Sequence, residues 1–529
     1  MDETAKRIFL GPGALSRLYV HLRKFACVST LLLVGTAARA AEPSDIRACT
    51  ALVAVKDHSW QVESAQWQEA GFMTPETAAD KPHATASPIC RVVAKGTPSP
   101  GSAIGFEVWL PSQRSWNGKV LGIGGGGLYG AVDYASLDEG VQKHYATVSS
   151  DYGHISKNYQ DATWARDQPE RVIDYGYRAQ HLVTVAAKRI AALYNGRRPS
   201  RAYYLGCSQG GRMAMVEATR YAGDYDGIIA GAPPTAYAKF IAGIIWSGQA
   251  ALRLSPQGLS RSMTQVLQRG VLARCGSPSG RIEDPSQCRF DPAELRCNGV
   301  QAAESLTDVE VEVARDLYAG PKDAQGHPIG AGLPYGSELS WRAYVNIPPG
   351  DVSYYASPWL LHEVVYAHEQ VDLRSIDVLR AFRDAQVNIA PLFDAPPELS
   401  AFERRGGKLI MFHGWADATI PPQPTIDFVA ALVARLGPGR VDQFVRLFMV
   451  PGLGHCSNPD GSQQFGQEGL TPAPGDPERD VLATLDRWVE SGTAPEHIIA
   501  TTTREGKVVE SQTIQRFDTG AMRGAPPSP

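Results

Sequence analysis

Residues 201–215 read RAYYLGCSQGGRMAM. The apolar run from Ala202 to Leu205 has the residues of a buried strand, and a helix-forming run opens at Gly211. Between them stands a G-x-S-x-G pentapeptide, Gly206-Cys207-Ser208-Gln209-Gly210. Strand, sharp turn and helix in this order hold a serine in strained backbone geometry, with its hydroxyl exposed at the end of a sheet. The turn leaves no room for side chains at the flanking positions, which accounts for glycine on both sides. Ser208 is therefore the candidate nucleophile; the alternative is a structural turn serine.

Working outward, further short apolar runs read as buried strands. Lys119 to Ile123 opens onto Gly124-Gly125-Gly126-Gly127. Tyr145 to Ser149 ends at Asp151, and Gly227 to Ala230 is closed by Gly231-Ala232-Pro233-Pro234. An amphipathic helix over Pro169 to Asn195 lies among them. Strands alternating with helices imply a parallel sheet with right-handed crossovers. Short β-like runs between Glu42 and Pro111 lead into this core. The alternation breaks after Pro234. Residues 237–400 carry helical segments, cysteine-containing loops and few strand signals, and strands return at Lys408 to Phe412 and Val445 to Val450. A helix from Pro477 to Ser491, capped by Asp476, closes the pattern. The expected architecture is α/β, an α/β-hydrolase fold with a large, mainly helical lid insertion. Its catalytic parts are residues 41–236 and 401–519, its lid is residues 237–400, and residues 520–529 form a small, Pro-rich, disordered tail.

A serine hydroxyl needs a base within hydrogen-bond reach. In this fold the order is serine, then acid, then histidine. The late strand Val445 to Val450 leads to Pro451-Gly452-Leu453-Gly454-His455-Cys456, which makes His455 the candidate base. His413, directly after Phe412, competes, but a histidine at a strand end is often a packed structural residue. The loop after that earlier strand carries Asp417, the candidate for orienting His455; the alternative is an aspartate capping the next helix. The oxyanion needs preorganised N–H donors. One is expected from Gln209 and the other from the glycine run, with Gly127 favoured and Gly126 next. A phosphate cradle would want G-K-[ST] after the glycines, but Leu128-Tyr129-Gly130 follows.

Cys207 directly precedes Ser208, and Cys456 directly follows His455. If nucleophile and base meet, these cysteines lie close enough to bond. Such a bridge closes a loop of about 250 residues and is worth about 5 kcal/mol in the chain-entropy model. The alternative is a Cys207 thiol nucleophile, which an oxidising compartment disfavours. Export is expected from the N-terminus. Arg17, Arg23 and Lys24 precede the apolar stretch Phe25 to Val34, and Ala38-Arg39-Ala40 follows as a cleavage pattern. Residues 1–40 thus read as a signal peptide of a secreted or periplasmic protein, against a buried N-terminal helix. Eight cysteines are present, and loss of Cys27 with the signal leaves an odd seven. No C-x-x-C pair suggests zinc. The net charge of −4 offers no basic surplus for nucleic acid, and no apolar run is long enough to span a membrane.

The run Gly206 to Arg212, with Gly454-His455-Cys456, resembles the tannase and feruloyl esterase family, which also includes hydrolases of mono(2-hydroxyethyl) terephthalate. Three further stretches agree: Val172 to Ala179, Tyr225 to Pro233, and Tyr318 to Asp323. The resemblance implies a Ser–Asp–His triad beside a disulfide, a lid over the site, and bridges Cys49–Cys90 and Cys275–Cys288. It also implies a structural calcium in the lid, but the matching stretch Cys275 to Asp284 is short and poor in carboxylates. Calcium takes six or more oxygen ligands, so this site is expected to be degraded and no cofactor is required. Glu304 and Ser305 stand where the family has a partner for Cys297, leaving Cys297 as the odd thiol.

The expected function is secreted serine carboxylic ester hydrolysis, with a feruloyl, hydroxycinnamoyl or galloyl ester implied by the resemblance. Terephthalate or phthalate half-esters are the alternative, and an inactive hydrolase-fold binding protein is a further one. Trp246, Tyr354, Tyr355 and Trp359 are candidates for stacking on the substrate, with core packing as the competing role.

Overall fold

The computed structural model describes residues 42–73, 82–156, 158–297, 304–345, 356–458, 462–467 and 476–518. Expectations for the signal segment 1–40, for the tail 520–529 and for Tyr354 and Tyr355 fall outside these residues.

Thirteen strands are described: β1 (Trp60–Gln68), β2 (Gly71–Met73), β3 (His83–Thr85), β4 (Ile89–Gly96), β5 (Ile104–Leu110), β6 (Lys119–Ile123), β7 (Ala146–Ser150), β8 (Arg201–Cys207), β9 (Gly227–Gly231), β10 (Lys408–Gly414), β11 (Val445–Val450), β12 (His497–Arg504) and β13 (Lys507–Gln515). Nine form one sheet in the order β1-β4-β5-β7-β6-β8-β9-β10-β11. The pairs β1–β4, β4–β5 and β5–β7 are antiparallel. Every later neighbour is parallel. Residues of β7, β9 and β11 are buried at every position. A parallel strand covered on both faces needs that uniform apolar run rather than alternation.

The helices that matter for the site are α1 (Pro43–Ala51), α2 (Tyr134–Gln142), α3 (Pro169–Ile173), α4 (Ala179–Asn195), α5 (Gln209–Arg220), α6 (Tyr237–Leu252), α7 (Arg261–Cys275) and α8 (Asp308–Ala319). The single helix expected over Pro169–Asn195 is interrupted by a π-turn at Asp174–Arg178. The interruption has a partner. The buried Arg212 guanidinium, on α5, donates to the carbonyls of Gly176 at 2.7 Å and Tyr175 at 2.9 Å. It thereby takes up acceptors that the widened turn presents sideways.

The expected start of the last helix is corrected. It begins at Val481, and Asp480 caps it by accepting the N–H groups of Leu482 and Ala483. Asp476 accepts the Glu478 N–H in the turn before it. Nor does this helix close the chain: β12 and β13 follow as an antiparallel hairpin. The alternating burial of β12 is the period-2 signal that marks it.

Residues 237–400 are mainly helical where described. The apolar face of α6, with Tyr237, Ile241 and Ile245, packs into the same hydrophobic cluster as the sheet. A separate cluster joins Leu267 and Val271 of α7 to Val311 and Leu317 of α8 around the fully buried Trp341. Thr307 and Glu310 form a reciprocal capping box that starts α8.

Candidate active site

The parallel register brings several chain turns to one edge of the sheet. Ile123 is paired with Leu205, Cys207 with Gly231, and Gly231 with Phe412. The loops leaving β6, β8, β10 and β11 at their carboxyl ends supply the candidate groups, the usual place for a ligand in a parallel sheet.

Ser208 sits between β8 and α5 with φ +59° and ψ −122°. A side chain in that region is strained. The strain is held on both sides. The Ser208 N–H donates to the Gly231 carbonyl at 2.9 Å, and its own carbonyl accepts from Arg212 N–H at 3.0 Å. A Cβ on Gly206 would stand 2.6 Å from the Gly210 carbonyl carbon, so the turn closes only with glycine there.

His455 Nε2 lies 2.8 Å from Ser208 Oγ, and His455 Nδ1 lies 2.8 Å from Asp417 Oδ2. Asp417 Oδ1 accepts the N–H groups of Thr419 and Ile420, both at 2.9 Å. The carboxylate is fully buried. Burial works to raise its pKa, but the His455 charge and the hydrogen bonds from His413 and His455 outweigh it. The group is held well below the usual carboxylate range. His413 occupies a different position from the one a competing base would need. It is fully buried, with Nδ1 2.8 Å from Thr425 Oγ1, Nε2 2.8 Å from the Ile420 carbonyl and 3.4 Å from Asp417 Oδ2. Both ring nitrogens are engaged behind Asp417.

Gln209 heads α5, so its N–H has no acceptor within the helix. The glycine run is pinned at both ends: the Gly124 N–H donates to Leu205 O at 2.9 Å, and the Leu128 N–H to Tyr159 O at 2.8 Å. Gly127 turns at φ +52°. Its carbonyl accepts the hydroxyl of the buried Tyr175, on the π-turn. Sequence reasoning missed Tyr175 and Arg212 as supports of this loop and elbow. The signal was a lone arginine in an otherwise apolar helix face.

Cys207 and Cys456 are joined, 249 residues apart in sequence and 5.9 Å between Cα atoms. Cys207 is therefore no thiol. Cys49 bonds to Cys90, and Cys275 to Cys288. Cys297 is free and half-buried. Within the Cys275–Cys288 loop, Glu283 accepts the hydroxyls of Ser277 and Ser279, and Asp284 accepts the Ser286 N–H.

A cavity of about 860 Å³ opens onto Ser208 and His455, with Gly124 to Gly127 and Gln209 in its wall. Its aromatic wall comes from Tyr129, Tyr134, Tyr159, Tyr237 and Phe240. The rings of Tyr129 and Tyr159 pack with centroids 4.9 Å apart. Two of the four expected stacking residues, Trp246 and Trp359, pack elsewhere. Trp246 points its indole N–H at the Asp316 carbonyl at 3.0 Å, bracing α6 against α8. Trp359 stacks on His362, 4.2 Å between centroids. Neither lines the cavity. Tyr129 stands two residues after the glycine run, which was the available hint.

A family model described as tannase and feruloyl esterase matches residues 90–522. An uncharacterized esterase of Xanthomonas campestris pv. campestris is 33% identical over 524 residues, covering 92% of this chain and 88% of that protein. A probable feruloyl esterase B-2 of Aspergillus flavus is 33% identical over 428 residues, covering 78% of this chain and 80% of its own. The crystal structure of feruloyl esterase B from Aspergillus oryzae superposes with a TM-score of 0.82 at 26% identity, covering 89% of this chain and 96% of that one. The chain belongs to the tannase and feruloyl esterase family and is a carboxylic ester hydrolase of the α/β-hydrolase fold.

Proposed function

We propose that this hydrolase is an exported serine esterase that cleaves esters of aromatic acids through an acyl-enzyme on Ser208. The observation that carries the reading is the unbroken line of contacts Ser208 Oγ, His455 and Asp417, each 2.8 Å long. His455 Nε2 takes the hydroxyl proton as Ser208 Oγ attacks the ester carbonyl. The N–H groups of Gln209 and Gly127, with Gly126 alongside, meet the oxyanion. His455 then gives its proton to the departing alcohol, and the ester C–O bond breaks. Water attacks the acyl-enzyme by the same route in reverse, returning the serine and releasing the acid. Asp417 keeps Nδ1–H directed toward itself and stabilises the imidazolium. No step calls for a cofactor.

An aromatic acid is favoured by the ring-lined wall and by the names of the relatives. The helical segment 237–400 contributes Phe240, Ile244 and Leu333 to that wall, and we take it to be a lid. Export is supported by the three-part pattern in residues 1–40 and by three disulfides. No described helix is long and apolar enough to cross a membrane. The test is turnover of methyl ferulate, methyl gallate and a terephthalate half-ester beside a chromogenic short-chain ester. Ser208-dependent cleavage with preference for an aromatic acid is expected. Equal or no turnover in Ser208→Ala and the parent protein refutes it.

A further inference from the structure

The cavity continues past Ser208. Beyond the elbow its wall is made by Leu121, Ile123, Leu205 and Leu482, and then by Glu139 and Lys143. Ile123 and Leu205 face each other across β6 and β8, next to the glycine loop and the elbow. Leu121 is two residues further down β6, and a Cβ on Gly140 of α2 would stand 3.1 Å from its side chain. The arm therefore descends the face of the sheet between α2 and the helix Val481–Ser491. From Gly124 to Leu121 it runs about 10 Å, at roughly 3.3 Å per residue. The walls are apolar and the far end is charged.

The other polar groups at the start and inner face of α2 are spent within the protein. Asp133 accepts the Ser136 N–H at 3.1 Å and its hydroxyl at 2.7 Å. The Tyr134 hydroxyl donates to Glu107 at 2.7 Å and accepts from Arg91 at 2.6 Å. Asp138 contacts His83 at 3.1 Å and accepts the Ala86 N–H. Glu139 differs. Both its carboxyl oxygens are buried, and neither takes a hydrogen bond among the described residues. Lys143 Nζ is in ion-pair contact with Oε1 at 3.3 Å, but Asp480 holds that ammonium more closely, at 3.0 Å. Burial lifts the Glu139 carboxyl to about 7 against the pull of Lys143. A buried carboxyl without its hydrogen bonds lowers stability. At the end of an active-site cavity, such a group is placed to receive a ligand.

We propose that Glu139 is a specificity-determining residue of this esterase, accepting a hydrogen bond from a hydroxyl group carried by the ester. The hydroxyl sits either on the aromatic ring of the acid or on the alcohol. The proposal rests on the ester-hydrolase reading above and names the substrate feature it selects.

The test compares kcat/KM for matched pairs. Methyl 4-hydroxycinnamate against methyl cinnamate reads a hydroxyl on the acid. The 2-hydroxyethyl ester of cinnamate against its ethyl ester reads one on the alcohol. In Glu139→Leu the ratio of hydroxylated to plain ester is expected to fall about 10-fold or more in one of the two pairs, the loss typical of a hydrogen bond to a charged group. Glu139→Gln, which keeps an acceptor, is expected to restore part of the ratio. Unchanged ratios in both pairs overturn the proposal. So does an equal loss on every ester with a lowered Tm, which would make Glu139 a structural partner of Lys143. Ser208→Ala, with and without Glu139→Leu, titrated with the same esters, reads the contact as a Kd. Absence of turnover would then strike the catalytic reading, while the Kd ratio still decides the role of Glu139.

Discussion

At the carboxyl edge of the sheet, the site is fixed largely by backbone contacts and by one long-range disulfide. A strained serine is locked by glycines, a carboxylate is met by two N–H groups, and two loops are welded by a disulfide spanning 249 residues. The helical segment 237–400 is fixed by side-chain packing around Trp341, and its disulfide spans 13 residues. Two buried carboxyls show the contrast. Asp417 faces two histidines and is held well below the usual range. Glu338 accepts the Gly336 N–H and the Tyr318 hydroxyl, has no cation paired with it among the described residues, and is raised by burial to about 7. The buried charge of Asp417 is compensated by its histidines, whereas burial of Glu338 favours its neutral form.

The sharpest way to break the contrast is at the edge itself. Ser208→Ala is expected to lower kcat by about 10⁵-fold or more with Tm unchanged, as knock-outs of a concerted triad do. Kinetics with a chromogenic ester and a thermal melt check both halves. Asp417→Asn should cost about 10⁴-fold in kcat, by releasing the His455 tautomer. An unchanged kcat there would pass the role to His413 or to solvent. Replacing both Cys207 and Cys456 by alanine should lower stability by up to about 5 kcal/mol in the chain-entropy model, and kcat with it. The same change at Cys275 and Cys288 releases a bridge across only 13 residues and should cost about 3 kcal/mol at most, with kcat retained. Denaturant melts alongside kinetics separate the two bridges.

A smaller effect is expected from the aromatic wall. Phe240→Ala should raise KM for an aromatic ester by roughly 10-fold, the share of one buried ring, whereas Trp359→Phe should leave it within about twofold. The last test is a pH series. Glu338 has a folded pKa raised from 4.5 to about 7, so its stabilising contribution is complete below 4.5 and is lost as pH rises toward 7. Asp417 runs the other way. Its contribution is present above the ordinary carboxylate range and is lost as pH falls through its depressed value. Glu338→Gln should flatten the neutral side of the Tm profile and leave the acid side unchanged.

Much of the edge was legible because its signals are local. The strands Lys119–Ile123 and Val445–Val450 begin and end where the apolar runs do. The loops after β6, β10 and β11 carry the glycine run, Asp417 and His455 within a few residues of the strand ends. The π-turn at Asp174–Arg178 was not legible: amphipathic periodicity alone continues through it, and its cause is Arg212, a residue of another helix. Trp246 and Trp359 misled for a related reason. An aromatic residue in a helical segment packs wherever the tertiary neighbours leave room, and both found partners away from the cavity. Asp476 was read as the cap, but it accepts an N–H in the turn before the helix, and Asp480, four residues on, heads the helix itself.

Sequence alone determined the parallel part of the sheet, the sharp turn at Ser208 and the order of Ser208, Asp417 and His455 along the chain. Glycine spacing and apolar period constrain backbone over a few residues, where no distant partner is needed. Tertiary structure alone decided which histidine meets the serine, which rings line the cavity and which carboxyl of α2 is left without hydrogen bonds. Those outcomes depend on side chains tens to hundreds of residues apart competing for the same space, and no local rule ranks such competitors.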